Sequence, residues 1–490
     1  MKLLMTFFIL VSNLAFSNAN VIEKAPFEWL VTATLQEKIN SDGHLEENDP
    51  LVKEIFNSIN YDPETDQILK TSNKKTDELS AKLKKYLKTI ASSKAARKVD
   101  PKYLKYLKEK KRSPIPVTLF RSKKQVEGIY FFNHIHTNIS QDNADLKWLK
   151  ITPKKTFQLV EKFLKRRGAK GVVTFTDHDT DIAFDHISHI KSSHLTPLRG
   201  VEWGGRTHMN LIDIKKDWKE LANGRNYEKE ESVIKSRSSN GFRVVNHPNR
   251  KKPFPYKSWL DADGVEVWNT ILENSPFLAF KIDRSNNRDA LKQWVESLQT
   301  GKQYTAMSGS DFHFTIPCLN ERTLIYPVNY IPDTDISKVR ENLFKGRLSF
   351  VTRPTAPKLS IKAKFNKGVW ARMGDELKGN GKLDLEIFGD FSDGNKRIGG
   401  ACYNVVNSFY KLITFWKKQR WQLRVYNLKG DLVAKRNLNP KRFGRRWNLR
   451  AELKLPISGK DLVRVELWSI NRGSKSIDLL GATNPIYLNW

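Results

Sequence analysis

Ten histidines occur in the chain, and six of them stand where apolar runs end. His134-Ile135-His136 closes the run from Ile129 to Phe132. Two side chains separated by one residue on a strand share a face, so both imidazoles can reach one metal ion. Thr176-Asp177-His178-Asp179 follows Val172–Phe175, Glu202 follows Leu198–Val201 with His208 six residues later, and His247 follows Val244-Val245-Asn246. Ser310-Asp311-Phe312-His313 follows Thr305–Met307, again with a carboxylate and an imidazole two residues apart. Imidazole with carboxylate and no thiolate is the ligand mix of zinc, manganese or iron rather than of a cysteine-based structural zinc. So many ligands exceed one tetrahedral centre. Two or three divalent metal ions sharing a bridging carboxylate and hydroxide is the economical arrangement. His44, His186, His189 and His194 lack the strand-end context and read as ordinary core or surface residues.

Three stretches of different texture must position these groups. From 20 to 125 the chain is polar with helical spacing: Leu83, Leu87 and Ile90 fall at i, i+4 and i+7, and Tyr103, Leu104 and Leu107 repeat the idea before Pro114 and Pro116 break it. From 126 to 355 short strand-like runs alternate with helices. The runs are Gly128–His134, Lys170–Thr176, Leu198–Trp203, Met209–Ile214, Phe242–Asn246, Gly264–Trp268, Tyr304–Met307 and Thr323–Tyr326; Pro153 opens a helix that Gly168 ends. Such alternation implies an α/β fold, a parallel sheet or barrel with its site at the C-terminal ends of the strands. From 356 to 490 the period is two, as in Leu383–Ile387, Trp421–Tyr426 and Leu462–Trp468, which predicts an antiparallel β-sandwich.

HIH at 134–136, TDHD at 176–179, GVEW at 200–203, NHP at 246–248 and SDFH at 310–313 occur in that order. The series resembles the motifs of the PHP (polymerase and histidinol phosphatase) superfamily, and DGVEVWN at 263–269 extends the likeness. GVEWGGRTHMNL at 200–211, with Thr483–Leu488 near the end of the distal β-region, looks like the carbaryl-hydrolase-type branch. The resemblance covers about 126–490; the first 125 residues match no known pattern. It implies a distorted (β/α)7 barrel with a trinuclear metal site. Carried onto this chain, its ligands are His134, His136, His178, Glu202, His208, His247, Asp311 and His313. A further ligand shortly after the HxH is expected; Gln141 stands where the family's Asp most often falls, so Asp142 is assigned through a one-residue shift. In a phosphoester hydrolase of this kind the metals act as Lewis acids and lower the pKa of a bridging water. Arg250, Arg206 and Arg199 are candidate cations for the transition state. Asp177 and Asp179 are expected to orient His178, and Asp179 can also protonate a leaving group. Glu266 reads equally as a support for the site or as a structural residue.

Composition bounds the rest. The chain has 490 residues, 39% of them hydrophobic, which excludes disorder throughout; its two cysteines exclude a disulfide framework or a cysteine-rich zinc module. Met1-Lys2, the apolar run Leu3–Val11 and Ser17-Asn18-Ala19 predict a signal peptide over 1–19, hence an exported, periplasmic or extracellular protein in which Cys318 and Cys402 can pair. No later run reaches the ~20 apolar residues of a transmembrane segment. The formal charge of +32 suggests an anionic partner, and 18 Lys/Arg against 4 Asp/Glu lie between Lys74 and Lys124. Few aromatics are interleaved there, so base stacking is not indicated and any nucleic-acid contact is weak. The expected function is a secreted metal-dependent phosphoesterase acting on a phosphorylated small molecule or nucleotide. The alternatives are a carboxyl or carbamate ester hydrolase on the same site, or a nucleic-acid- or envelope-binding protein.

Overall fold

An unbroken apolar run such as Ile129–Phe132 suits a strand covered on both faces, and in the computed structural model every residue of Ile129–Ile135 is buried. The structure describes residues 22–42, 48–62, 67–70, 73–92, 115–123, 127–140, 150–204, 208–216, 241–249, 254, 259, 262–269, 287–313, 315–318, 320–366, 368–392, 404–405, 408, 419–440, 443, 448–471 and 476–490. The predicted signal peptide and the Tyr103–Leu107 pattern lie outside them.

The N-terminal region is helical. It contains α1 (Phe27–Asp42), α2 (Pro50–Ser58), an antiparallel hairpin of β1 (Ile59–Asp62) and β2 (Gln67–Lys70), and α3 (Asn73–Ser92). Asp49 caps α2 by accepting from the N–H groups of Leu51 and Val52, with Pro50 in the first turn where no N–H is needed. Leu79, Leu83 and Leu87 form the buried face of α3. This cluster also takes in Ile316 and Cys318, and the Thr32 hydroxyl donates to the Pro317 carbonyl (3.0 Å). The helices are thus seated on the segment that follows His313. Strand β3 (Thr118–Ser122) leaves them and joins a sheet of the C-terminal region.

The middle region holds β4 (Ile129–Ile135), α4 (Pro153–Lys165), β5 (Lys170–Phe175), α5 (Ile182–Ile187), β6 (Leu195–Leu198), β7 (Gly200–Trp203), β8 (Met209–Ile212), β9 (Phe242–Val245), β10 (Gly264–Asn269), α6 (Asn287–Gln299), β11 (Thr305–Gly309), α7 (Asn320–Ile325), β12 (Val328–Ile331), α8 (Val339–Phe344) and β13 (Ser349–Val351). The Thr152 hydroxyl caps α4, whose buried face is Phe157, Val160, Phe163 and Leu164. Thr323–Tyr326, expected as a strand, is mostly the end of α7. A four-residue apolar run fits either element, and Pro327 delays strand pairing until β12. The sheets are mixed rather than parallel. β4, β5 and β6 run parallel, as do β9, β10 and β11, but β7–β8, β8–β9 and β4–β12 are antiparallel. Five residues between β7 and β8 are too few for a parallel crossover.

The C-terminal region is antiparallel except for one short pair. Its strands are β14 (Lys358–Phe365), β15 (Ala371–Arg372), β16 (Glu376–Leu377), β17 (Gly381–Asp390), β18 (Gln419–Tyr426), β19 (Leu432–Leu438), β20 (Asn448–Ile457), β21 (Asp461–Asn471), β22 (Ser476–Thr483) and β23 (Ile486–Leu488), with β16 parallel to β23. One sheet is ordered β15-β14-β17-β20-β3, and its alternating Ile361, Ala363, Leu385, Ile387, Leu453 and Leu455 face the core. The other passes from β21 through β22 and β13 into β12, β4, β5 and β6, so the middle and C-terminal regions share a sheet. Tyr130 and Phe163 lie in one hydrophobic cluster with Leu359 and Leu453.

The protein is therefore a mixed α/β structure with several sheets and, among the described residues, eight α-helices. The described strands do not form one closed barrel. Among the described residues, the backbone ladder between the sheet β7-β8-β9-β10-β11 and the β4-β5-β6 sheet is reduced to isolated bridges, His178↔Glu202 at one junction and Ile135↔Phe312 at the other, while Phe131, Val172, Val244 and Met307 pack together between the sheets. Among the described residues no helix is long and apolar enough to cross a membrane. Cys318 is disulfide-bonded, and the sequence offers one partner, Cys402, which lies outside the described residues.

Candidate metal centre

Both junctions between the sheets are where the candidate ligands gather. At the Ile135↔Phe312 junction, β4 does not run straight through HIH: its register against β5 shifts between Phe132 and Ile135, and His134 takes φ 58°. The bulge, rather than simple alternation, aims the two rings. Asp311 (φ 50°), His247 (φ 26°) and Asp179 (φ 54°) are also left-handed, so four of the nine non-glycine residues with positive φ among the described residues lie where the imidazoles and carboxylates meet.

Glu202, fully buried, is the hub. Its Oε1 lies 2.9 Å from His208 Nδ1, 3.1 Å from His134 Nε2 and 3.5 Å from His247 Nε2. Its Oε2 lies 3.2 Å from both His136 Nε2 and His178 Nδ1. Asp311 Oδ1 lies 2.9 Å from His313 Nε2, 3.1 Å from His134 Nε2 and 3.5 Å from His136 Nε2. The rings of His136 and His313 stack with centroids 4.0 Å apart. Three sets of donor atoms fall within ligand reach of one another: His134, His136, Glu202 and Asp311; His136, His178 and His313; and His178, Glu202 and His208. His247 stands beside them, its ring 5.6 Å from that of His134 and 5.2 Å from that of His208.

These residues fit a metal ion. His134 Nε2, His136 Nε2, His208 Nδ1 and Glu202 Oε2 are buried yet make no hydrogen bond, despite neighbours about 3 Å away. In a tetrahedral site with bonds of about 2.1 Å, adjacent donors stand about 3.4 Å apart, so this spacing is that of ligand edges. Charge agrees. Burial opposes ionisation of Glu202 and Asp311, but the imidazoles around them, His208 and His134 foremost, hold both carboxyls well below the usual range. Burial would likewise lower His134, yet the fields of Glu266, Asp311 and Glu202 lift it well above the ordinary imidazole value. His178 is pushed well down by burial, with its histidine neighbours adding to the effect and Glu202 opposing it. A cluster that draws a proton onto a buried imidazole is one that a cation satisfies. No family model matches the chain, and no curated protein matches it in sequence.

Neighbouring polar side chains hold the candidate ligands. Asn246 Nδ2 donates to Glu202 Oε1 (2.7 Å) and Asn210 Oδ1 (2.8 Å). Ser140 Oγ accepts from the His178 N–H (3.0 Å) and lies 3.2 Å from His136 Nδ1. Asn269 Nδ2 donates to Asp311 Oδ2 (3.0 Å). None of Ser140, Asn246 and Asn269 was singled out from the sequence. Asn246 and Asn269 ended strand-like motifs, the one signal that marked them.

The flanking aspartates make contacts with other segments. Asp177 binds the backbone N–H and hydroxyl of Thr137 instead of the His178 ring, fixing the turn after HIH; burial raises its carboxyl. Asp179 Oδ1 accepts from the Gly204 N–H (3.4 Å), and its own N–H donates to the Glu202 carbonyl (2.9 Å), tying TDHD to GVEW. Arg199 is ion-paired with Asp181 and with Asp185 (2.7 Å) and lies over the Phe184 ring, so it anchors α5 rather than serving the site. Asp142, Arg206 and Arg250 lie outside the described residues.

Proposed function

We propose that this protein is an exported metal-dependent hydrolase, a phosphoesterase with two or three divalent ions in a PHP-type site. The observation that carries the reading is Glu202. Its two oxygens face different imidazoles, Oε1 towards His134, His208 and His247 and Oε2 towards His136 and His178, the layout of a carboxylate that bridges two metal positions. The resemblance of the motif series supports a distorted barrel that opens at the two ligand-bearing junctions and is followed by a β-sandwich.

His134, His136, Glu202 and Asp311 would hold the innermost ion, with His178, His208 and His313 completing the outer positions. Bound there, zinc, manganese or iron supplies Lewis acidity and a water ionised near neutral pH. The side chains of His178, His208 and His313 keep 14%, 19% and 15% exposure while His134, His136, Glu202 and Asp311 keep at most 1%, so substrate enters over the three outer histidines. Asp179, half-buried beside His178, is placed to meet a leaving group. The charge of +32 favours anionic substrate over neutral ester.

The test is metal analysis of the purified chain with a screen of p-nitrophenyl phosphate, nucleotides and p-nitrophenyl acetate. Two or three ions per chain and metal-dependent phosphatase activity, abolished in His136→Ala, are expected. A metal content near zero overturns the enzyme reading. Preference for the acetate moves the function to carboxyl esters.

A further inference from the structure

Glu266 belongs to no donor set, yet it touches two of the candidate ligands, His134 and His247. It is fully buried in the middle of β10. Its Oε1 lies 2.8 Å from His134 Nδ1. Its Oε2 accepts from the backbone N–H of His247 (2.9 Å) and from Asn269 Nδ2 (3.1 Å). The Asn269 carboxamide also donates to Asp311 Oδ2 (3.0 Å), and its backbone is pinned on both sides by Asn287, whose Oδ1 accepts from the Asn269 N–H (2.9 Å) and whose Nδ2 donates to the Asn269 carbonyl (2.7 Å). One carboxylate thus connects His134, His247 and, through Asn269, Asp311. The room for it comes from Gly309: a Cβ there would stand 1.7 Å from Glu266 Oε1 and 2.7 Å from the His134 Cβ.

We infer that Glu266 is a positioning residue that fixes His134 as the Nδ1–H tautomer and keeps its Nε2 lone pair for a metal ion, with Gly309 conserving the space that this contact needs. A carboxylate can only accept, so the proton of a neutral His134 sits on Nδ1 and Nε2 faces Glu202 and Asp311 at 3.1 Å. Such carboxylate–histidine pairs orient the ring and raise its basicity as a ligand. Glutamine at 266 cannot replace this. If its amide nitrogen faces His247 and Asn269, donor meets donor twice. If it faces His134, the ring must accept at Nδ1 and carry its proton on Nε2, where it no longer binds metal.

The inference rests on the metal-site reading, and full-length wild type, Glu266→Gln and Glu266→Asp test it by zinc competition titration and by the visible spectrum of the cobalt-loaded protein. For Glu266→Gln we expect affinity about 10–100-fold weaker and a cobalt spectrum altered at saturation, with the circular dichroism of the metal-free chain unchanged. Glu266→Asp, which keeps the charge but shortens its reach, should fall between the two. Wild type that binds neither ion defeats the metal-site reading itself. Wild type that binds while Glu266→Gln matches it in affinity and spectrum overturns this inference alone. Loss of the fold in both metal-free variants also overturns it, because Glu266 would then be structural.

Discussion

Protonation and metal binding compete at His134. Its imidazole is lifted well above the ordinary value by Glu266, Asp311 and Glu202 against the opposing effect of burial, which favours the protonated ring in the metal-free chain. A metal needs the Nε2 lone pair and must displace that proton. Binding near pH 7 should therefore release roughly one proton from this residue and tighten as pH rises. Calorimetry of zinc binding in buffers of different ionisation enthalpy measures the release; uptake of protons, or affinity flat between pH 6 and 8, would contradict it. Asn246 gives a second prediction at this scale. Asn246→Asp removes the donor to Glu202 and sets a buried carboxylate against it, so metal affinity should change by at least about 10-fold. The same zinc titration decides it.

Among the elements, β11 is held by side chains from distant segments. It is an edge strand of its sheet, and side chains stand in for a missing neighbour. Asn484 Oδ1 accepts from the Ala306 N–H (2.8 Å), while its Nδ2 donates to the carbonyls of Ala306 and Leu348 (both 2.9 Å). Asn329 Oδ1 accepts from the Ser308 N–H (2.8 Å), and its Nδ2 donates to the Ser308 carbonyl (2.8 Å). Asn484→Ala strands buried backbone groups and should cost roughly 3 kcal/mol, read as a lower urea midpoint. It should also loosen Asp311, two residues past β11, and weaken metal retention. The Lys358–Asp390 pair (3.2 Å) plays a comparable part between β14 and β17, with the ammonium over the rings of Tyr130 and Tyr330. Lys358→Met leaves Asp390 buried without this cation and should destabilise by about 3–5 kcal/mol. An unchanged midpoint would show the pair to be dispensable.

At the scale of the whole molecule, the middle region cannot be cut free of its neighbours. β22 is the sheet neighbour of β13, β3 pairs with β20, and one hydrophobic cluster runs from Phe163 to Leu453. A chain ending at residue 355 should be insoluble or lack a cooperative melting transition, as expression and circular dichroism would show. A folded, metal-binding fragment would refute that integration. The N-terminal helices rest on Ile316 and Cys318, in the segment that follows His313.

The sequence by itself determined the donor types, their order and their placement at strand ends. Those are local properties: apolar runs, residue chemistry and intervals of two report on single elements. His134, His136, His178, Glu202, His208, Asp311 and His313 were legible on that basis, and the structure brings them together. What only the tertiary structure decided depends on contacts between distant segments. These are the antiparallel pairing of β7, β8 and β9, the bulge that turns His134, the engagement of Arg199 by α5, and the meeting of Glu266, Asn269 and Gly309 around one imidazole. Register and side-chain aim follow from which strand lies alongside and what space it leaves. No interval within a single segment encodes that, because the partners of His134 stand between 68 and 177 residues away along the chain.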